Sequence, residues 1–235
     1  MDNAMTEQLK RIPGESDDEF GYRLVCQNIS ANQWGDNDTL AQFIRRTIEM
    51  GSPSMLELGT RRTMAEVSTR HQRLFPHAAE YLGTDIEKDA DVDFLADVHR
   101  LSQVTGQERF DAIMSDAGFE HFKYPHLAAH ELMKALKVGG FIFIQTHQTF
   151  PINAVPFDYF RFSTDALRSL FSESMGMKVH AAGYFSPAAI YSRVDPLGRR
   201  APAFLHVNIL AEKTEKTPEQ YIYEYDCLPS NEVQS

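Results

Sequence analysis

The sequence predicts a single α/β domain built on a doubly wound, mostly parallel, seven-stranded sheet with an antiparallel edge pair and helices on both faces. Three observations support this fold class. Short apolar segments alternate with segments of helical period along most of the chain. The central apolar segments lack the polar alternation of half-exposed strands, as expected for strands covered on both faces. The last two strand-like segments follow each other without a helix between them, which indicates the antiparallel pair.

The chain begins with a polar leader at residues 1–36, which we expect to form a helical cap because the segment DDEFGYRLVCQNI carries apolar residues at helical spacing. A second helix is predicted to begin at Asp38 or Thr39, both of which are favourable N-cap residues, and to end at Gly51. The apolar face of this second helix comprises Leu40, Phe43, Ile44 and Ile48.

The main domain is predicted to span residues 37–212 and to be followed by a polar tail, residues 213–235. Period-2 or continuous apolar segments indicate strands, and periods of three to four residues indicate helices. The predicted strands are 54–58, 80–85, 92–97, 110–116, 141–146, 178–185 and 203–212. The further predicted helices are 64–75, 126–137, closed by Gly139-Gly140, and 164–174.

The composition limits the classes of function. The 235 residues include 33 acids and 23 bases, a formal net charge of −10, whereas polyanions are held mainly by clustered Lys and Arg. We therefore expect no nucleic-acid partner. The two cysteines, Cys26 and Cys227, do not make a disulfide framework. The polar start of the chain lacks a secretory signal, and no apolar run reaches the roughly 18–20 residues of a membrane span, so we expect a cytoplasmic protein without membrane contact.

Four acids fall at the ends of successive predicted strands, which is where ligands bind in doubly wound sheets. Asp85 follows Gly59 by 26 residues, close to the roughly 20 expected for an acid that accepts both hydroxyls of a ribose. An acid after the third strand can accept the amino group of an adenine. Gly59 lets the backbone approach a ligand closely. The four acids are Glu57, Asp85, Asp97 and Asp116.

The ordered motifs LELG, GTDI, LADVHRLS, FDAIMSDAGFEH and LMKALKVGGFIFI resemble those of the class I S-adenosylmethionine-dependent methyltransferases, over roughly residues 40–210. The most specific motif is Glu120-His121 followed by a helix and ALKVGG, which is similar to the EH…LKPGG of that family. The resemblance implies a Rossmann-like fold and S-adenosyl-L-methionine as cofactor. It places Glu57 and Gly59 beside the methionine part, Asp85 with Ile86 at the ribose, Asp97 with Val98 at the adenine, and Asp116 in the passage to the substrate.

The loop after the first strand departs from the family pattern, because Arg61 and Thr63 stand where the family usually has glycines. A dinucleotide needs such glycines because its pyrophosphate lies on the helix N-terminus, but S-adenosylmethionine has no phosphate. The departure therefore disfavours an NAD-dependent oxidoreductase more than a methyltransferase. A guanidinium at Arg61 is able to pair with the methionine carboxylate of the cofactor, although a solvated arginine would look the same in the sequence.

A loop of about 18 residues follows the fifth predicted strand and is rich in aromatic side chains. Aromatic walls with a few polar groups are typical of small-molecule pockets, although such a loop could also simply cover the sheet edge. The predicted pocket residues are Phe119, Phe150, Phe157, Tyr159, Phe160 and Arg161.

A hydroxyl acceptor benefits from a base, and histidine has a suitable pKa. His147 at the end of the fifth strand and His121 after the fourth are the candidate bases, with Asp158 as an orienting partner. His126 and His130 lie one helical turn apart, but there is no HExxH arrangement and no obvious third ligand, so no metal site is predicted.

The resulting hypothesis is a methyltransferase that moves a methyl group to a small-molecule acceptor, preferentially a hydroxyl, by in-line displacement. N-methylation of a small amine or peptide group and a non-catalytic, cofactor-binding scaffold remain as alternatives. Methylation of nucleic-acid amino groups is disfavoured because SDAGF, after the fourth strand, lacks an Asn/Asp-Pro-Pro-aromatic run. A homodimer is possible through the N-terminal helices and the Tyr-rich tail.

Overall fold

The computed structural model describes residues 12–16, 20, 38–62, 66–190 and 201–223. Most of the predicted helical leader, residues 1–36, lies outside these residues, because only 12–16 and 20 of it are described. The helices are α1 (Thr39–Glu49), α2 (Leu101–Thr105), α3 (Pro125–Ala135) and α4 (Thr164–Leu170). The strands are β1 (Ser54–Leu58), β2 (Glu80–Asp85), β3 (Phe94–Leu95), β4 (Phe110–Asp116), β5 (Leu136–His147), β6 (Met177–Ile190) and β7 (Ala201–Lys213). Short 3₁₀ turns span Gln72–Leu74, Val98–Arg100, Phe119–His121 and Glu173–Met175.

The strands form one seven-stranded sheet in the order β3-β2-β1-β4-β5-β7-β6. β1 to β5 pair in parallel, and β7 pairs antiparallel with both β5 and β6. The chain order reverses between β1 and β4, which is the topological switch point at which ligands bind in open α/β sheets. The predicted fold class, including the antiparallel edge pair, is therefore confirmed.

Each face of the sheet packs against its own apolar cluster. One cluster joins Leu56 and Ile144 of the sheet to Leu132 of α3 and Leu167 of α4, all fully buried. The other joins Met55 and Phe143 to Phe43 of α1 and to Phe75. The central strands carry buried apolar side chains on both faces, which explains why their sequences are nearly continuous in apolar residues.

Helix α1 packs with a face shifted from the predicted one. Phe43 and Thr47 are buried, but Ile48 is 55% exposed. The hydroxyl of Thr47 donates to the carbonyl of Ile44 and contacts Nε2 of His77, so a polar residue with its hydrogen bonds satisfied fills the position expected for an apolar one.

The predicted helix at 64–75 is wrong within the described residues. After a gap at 63–65 the chain runs without regular structure, and only Gln72–Leu74 form a 3₁₀ turn. The backbone N–H of His71 donates to the carboxylate of Glu57 rather than to a helical carbonyl. Ser68 and Thr69 also favour competing side-chain hydrogen bonds over a helix interior.

Helix α3 ends before the predicted position, and the glycines lie inside a strand. β5 begins at Leu136, pairs with Phe110 and continues after a register shift through Gly139 and Gly140. A Cβ on Gly140 would lie 2.8 Å from the carbonyl oxygen of Asp111, so the two backbones approach too closely for a side chain.

The first part of the tail packs against the domain. The hydroxyl of Tyr221 donates to the carbonyls of Ser169 and Leu170, and its ring contacts His126 and His130 of α3. The predicted boundary at 212/213 falls at the last residue of β7. No helix within the described residues is long and apolar enough to cross a membrane.

Candidate functional site

The predicted acids gather at the carboxyl ends of the strands. Glu57 is the penultimate residue of β1, Asp85 and Asp116 end β2 and β4, and Asp97 follows β3 by two residues. Because parallel strands end at one edge of a sheet, the four carboxylates share the switch-point edge. Glu57 is 3% exposed, whereas the other three acids are only partly buried or exposed.

The turn after β1 brings backbone N–H groups to this edge. Gly59 has a φ of +72°, a left-handed conformation that favours glycine. The N–H groups of Gly59 and Thr60 both donate to the carbonyl of Thr84 in β2. The hydroxyl of Thr60 is buried and finds no hydrogen-bond partner among the described residues.

Asp85 is held by backbone on both sides. Its Oδ2 accepts from the N–H of Arg61 at 3.3 Å, and its Oδ1 accepts from the N–H of Glu87 at 3.2 Å. The neighbouring Ile86 is 65% exposed, so an apolar side chain lies beside the carboxylate in solvent. Two fixed carboxylate oxygens next to an exposed apolar side chain suit a ribose with its base.

The arginines of this loop pair with acids of the protein. The guanidinium of Arg61 forms an ion pair with Glu87, which corrects the expectation that it lies ready for the carboxylate of a cofactor. Arg62 binds Asp91 with two hydrogen bonds, at 2.8 and 3.0 Å, and its N–H donates to Asp89. These residues fasten the loop after β1 to the loop after β2.

Asp97 is oriented by its neighbour two positions on. Its Oδ1 accepts from the N–H of His99 at 3.0 Å and contacts the ring Nδ1 of His99 at 2.7 Å. The other ring nitrogen of His99 accepts from the N–H of Tyr124 at 3.3 Å, which assigns the proton to Nδ1. Desolvation acts to raise the pKa of Asp97, but the two hydrogen bonds from His99 and nearby positive charge together lower it. Val98, the predicted adenine neighbour, is buried behind it.

A histidine that the sequence prediction missed lies between the acids of β1 and β4. Nδ1 of His71 is 2.7 Å from Oε1 of Glu57, and its Nε2 is 3.4 Å from Oδ2 of Asp116. The hydroxyl of Tyr81 donates to the second oxygen of Glu57 at 2.7 Å. The other oxygen of Asp116 accepts from Gln145 at 2.9 Å. The position of His71 inside a predicted helix concealed this contact.

The two candidate bases share one buried carboxylate, which the sequence prediction also missed. Oε1 of Glu120 lies 3.1 Å from Nδ1 of His147, without the alignment of a hydrogen bond, and 3.8 Å from Nε2 of His121. Oε2 of Glu120 accepts from the hydroxyl of Thr146 at 2.7 Å. Burial raises the pKa of Glu120 and lowers that of His147 to about 4. Glu120 belongs to the Glu120-His121 motif, but the sequence alone assigns it no role.

The two histidines differ in access. His147 is 2% exposed and stacks on Phe150 with 3.8 Å between ring centroids. His121 keeps about a quarter of its side chain exposed, and its Nδ1 is 2.9 Å from the carbonyl oxygen of Phe157. Because a carbonyl only accepts, Nδ1 of His121 carries a proton, whereas its Nε2 makes no hydrogen bond among the described residues.

Asp158 does not contact either histidine, which corrects its predicted role. It binds Arg161 through both oxygens, and one of them also accepts from the N–H of Asn153. The same guanidinium donates to the carbonyls of Phe150, Pro151 and Phe160. These contacts lower the pKa of Asp158. Arg161 is therefore the clamp of the loop at residues 148–163 and not a pocket residue in this structure.

The substitution Arg161→Lys is expected to loosen this loop while the rest of the domain keeps its stability. A lysine keeps the charge but cannot reproduce the planar fork. We expect hydrogen exchange of the Tyr159, Phe160 and Phe162 amides to accelerate about tenfold. This corresponds to a decrease of roughly 1.4 kcal/mol in the free energy of local opening of the loop. Arg46→Lys, in an exposed pair with Glu49, is the matched control. Unchanged exchange in the loop would contradict the clamp.

The aromatic residues of the predicted pocket separate into two groups. Phe119 is fully buried and packs on Phe122 and Phe171, so it belongs to the core, and its assignment to the pocket is wrong. The 3₁₀ turn at Phe119–His121 points its ring inward. The group that remains at the surface comprises Phe157, Tyr159 and Phe160, 54%, 40% and 38% exposed.

The two helical histidines are engaged by the tail. His130 contacts the carbonyl oxygen of Pro218 through Nε2 at 2.7 Å, and His126 packs on Tyr221 and Tyr223. Among the described residues, no group of three or more His, Cys, Asp or Glu side chains is placed to hold a metal ion.

Comparisons with known proteins agree with this geometry. A family model described as a methyltransferase domain matches residues 60–144. No curated protein sequence matches the chain. A SAM-dependent methyltransferase from Archaeoglobus fulgidus is similar in structure, with a TM-score of 0.53 and 16% identity over 80% of this chain and 99% of that one.

Two bacterial structures are similar to the same degree. An S-adenosylmethionine-dependent methyltransferase from Mesorhizobium loti has a TM-score of 0.50 and 15% identity, over 72% of this chain and 95% of that chain. The YcgJ protein from Bacillus subtilis has a TM-score of 0.52 and 15% identity, over 75% and 97%. At such identities the likeness shows the fold alone, and the match to a methyltransferase domain covers residues 60–144.

Proposed function

We propose that this chain, which belongs to the class I S-adenosylmethionine-dependent methyltransferase family, methylates a hydroxyl group of a small, largely apolar molecule. The enzyme class and the cofactor, S-adenosyl-L-methionine, follow from the family. The acceptor and the residue roles are our proposal. One observation carries it: the strand ends that bear Asp85 and Asp97 share one edge of the sheet with a buried Glu120, which two histidines flank under an aromatic loop.

The residues at the switch point fit the cofactor. Asp85 offers fixed carboxylate oxygens for ribose hydroxyls, and Ile86 offers an apolar surface beside them. Asp97, whose side chain is 56% exposed, would accept from the adenine amino group. The buried hydroxyls of Thr60 and Ser115, which have no hydrogen-bond partner among the described residues, lie at the carboxyl ends of β1 and β4. Glu57 and Asp116 would serve the cationic methionine end.

The bound cofactor supplies an electrophilic methyl group on a sulfonium. The protein must hold the acceptor oxygen in line with that methyl group and exclude water. We assign His121 as the base, because its Nε2 makes no hydrogen bond among the described residues and part of its side chain is exposed. Once protonated, its imidazolium would be stabilised by the nearby Glu120 carboxylate. The exposed Phe157, Tyr159 and Phe160 would contact the apolar body of the acceptor.

Calorimetric titration with S-adenosylmethionine, S-adenosylhomocysteine and NAD tests the cofactor site. We expect the first two to bind and NAD not to bind. Asp85→Ala is expected to weaken binding of S-adenosylhomocysteine about 10- to 100-fold, because hydrogen bonds from the ribose to a carboxylate are lost. Glu49→Ala is the matched control, since Glu49 ends α1 at the opposite edge of the sheet.

Equal affinity in wild type and Asp85→Ala would overturn the assignment of the ribose acid. Cofactor binding without turnover of any hydroxyl or amine acceptor would favour the scaffold alternative. Turnover of amines alone would favour N-methylation. The homodimer stays a prediction, to be measured by analytical ultracentrifugation of the full chain.

A further inference from the structure

His71 occupies the gap between the acids that end β1 and β4. Its Nδ1 is 2.7 Å from Glu57 and its Nε2 is 3.4 Å from Asp116, so each ring nitrogen faces a carboxylate. A neutral imidazole has only one N–H, and a carboxylate only accepts. The environment therefore favours the doubly protonated imidazolium. Its hydrogen bond to Glu57 is the main cause that raises the pKa of His71, against desolvation.

The other groups around His71 do not replace it as a partner of Glu57. Tyr81 of β2 donates a neutral hydroxyl to Glu57. Arg73, two residues along, lowers the pKa of His71 by its charge. Arg70 is directed to Asp93 and to the carbonyl of Tyr81. Glu57 is 3% exposed, and a buried carboxylate without a cationic partner is costly. Among the described residues, His71 is the cationic partner of Glu57.

We propose that His71 holds the place of the α-ammonium group of the cofactor and that the two cations exchange at Glu57 and Asp116 when the cofactor binds. The inference rests on the proposed function, in which these acids serve the methionine end. The imidazole of His71 lies between the two carboxylates, where the ammonium group would have to replace it. The segment 66–69 leading to His71 is exposed and lacks regular helix, so the imidazole is able to swing outward without breaking an element.

The exchange links cofactor binding to a proton. In the free protein the two carboxylates keep His71 charged above the ordinary histidine pKa of about 6.5. Once displaced into solvent it titrates near that ordinary value. Between the two values cofactor binding releases a proton, so the affinity rises with pH across this window. Each unit by which the pKa of His71 in the free protein exceeds its pKa in the complex changes the affinity for the cofactor about tenfold across this window.

Calorimetry in buffers of different ionisation enthalpy measures this proton directly. With S-adenosylhomocysteine at pH 7, we expect a release of at most about three quarters of a proton per ligand, because an imidazole of ordinary pKa keeps roughly a quarter of its protons at this pH. We expect none with methylthioadenosine, which lacks the amino-acid end. His71→Gln keeps an amide donor for Glu57 without a charge. We expect this variant to bind S-adenosylhomocysteine about tenfold more tightly than wild type near pH 6.5 and without proton release.

His180→Gln is the matched control, because His180 pairs with Glu212 at the same 2.7 Å but at the opposite edge of the sheet. It should behave as wild type. Imidazole NMR gives a second reading: the pKa of His71 should be above the ordinary value in the free protein and fall towards it with S-adenosylhomocysteine bound. This titration needs no variant.

The outcomes separate this inference from the proposed function. If S-adenosylhomocysteine binds without proton release, and His71→Gln neither tightens binding nor changes its pH dependence, the exchange is overturned while the cofactor site stands. If neither protein binds the ligand, both proposals fail together. If His71→Gln does not fold, an unshifted NMR titration of His71 on ligand addition would overturn the exchange.

Discussion

Replacing His121 with alanine is expected to lower kcat/KM for a hydroxyl acceptor about 1,000-fold, within the range that a positioned base contributes. The carbonyl of Phe157 holds the proton of this histidine on Nδ1, which leaves Nε2 as the proton acceptor. Glu120 lies 3.8 Å behind Nε2 and would stabilise the charge that forms there. Cofactor affinity should not change, because the ring of His121 contacts Glu120 and the carbonyl of Phe157 and none of the acids assigned to the cofactor, among the described residues.

The measurement is the rate of S-adenosylhomocysteine formation with a panel of phenols and aliphatic alcohols, first with wild type to find an acceptor. His126→Ala is the matched control, since His126 lies five residues on and packs on Tyr221 and Tyr223 of the tail. An unchanged kcat/KM in His121→Ala would remove this histidine from the chemistry. If His147→Ala alone were then impaired, the base would be the buried member of the pair.

Lys213→Met is expected to lower the free energy of unfolding by about 3 kcal/mol. The ammonium of Lys213 is 1% exposed and donates to the carbonyls of Met133, at 2.9 Å, and Leu136, at 2.7 Å. These carbonyls belong to the end of α3 and the start of β5, where the chain leaves helical geometry. Methionine fills the volume but leaves both buried acceptors unpaired, at about 1–3 kcal/mol each, partly offset because no charge is desolvated.

Urea unfolding of Lys213→Met and of Lys137→Met measures this effect against a matched surface substitution. Lys137 pairs with Asp111 with 42% of its side chain exposed, so its loss should change stability by less than about 1 kcal/mol. Equal stabilities of the two variants would show that water or backbone adjustment satisfies the two carbonyls without Lys213.

Local patterns were sufficient to predict the strand ends and their acids. Asp85 and Asp116 end strands whose apolar residues are contiguous in the sequence, and parallel pairing then places them at one edge without further information. Asp158 and Arg161 are only three residues apart, so their pairing was within reach of a sequence argument. Asp158 was instead predicted as the partner of a base and Arg161 as a pocket residue, because the aromatic loop that holds them is typical of a small-molecule pocket.

Contacts between distant segments were out of reach. Glu57 meets His71 and Tyr81 at separations of 14 and 24 residues, and Lys213 meets Met133 at 80. Tertiary contacts of this kind override the local preference for helix at 64–75. The assignment of Phe119 to the pocket failed because the 3₁₀ turn after β4 decides whether its ring faces the cleft or the core. The sequence does not show the direction of that turn.

The strand order has a consequence for synthesis on the ribosome. β7 lies between β5 and β6, yet it is the last of the seven strands to be made. Until residues 201–213 emerge, the outer edge of β5 has no neighbour and β6 has no strand to join. A nascent chain that stops short of β7 therefore presents an open apolar edge, which is the surface that chaperones capture and that aggregates extend. Completion of the sheet, and with it protection from misassembly, is deferred until residues 201–213 have been made.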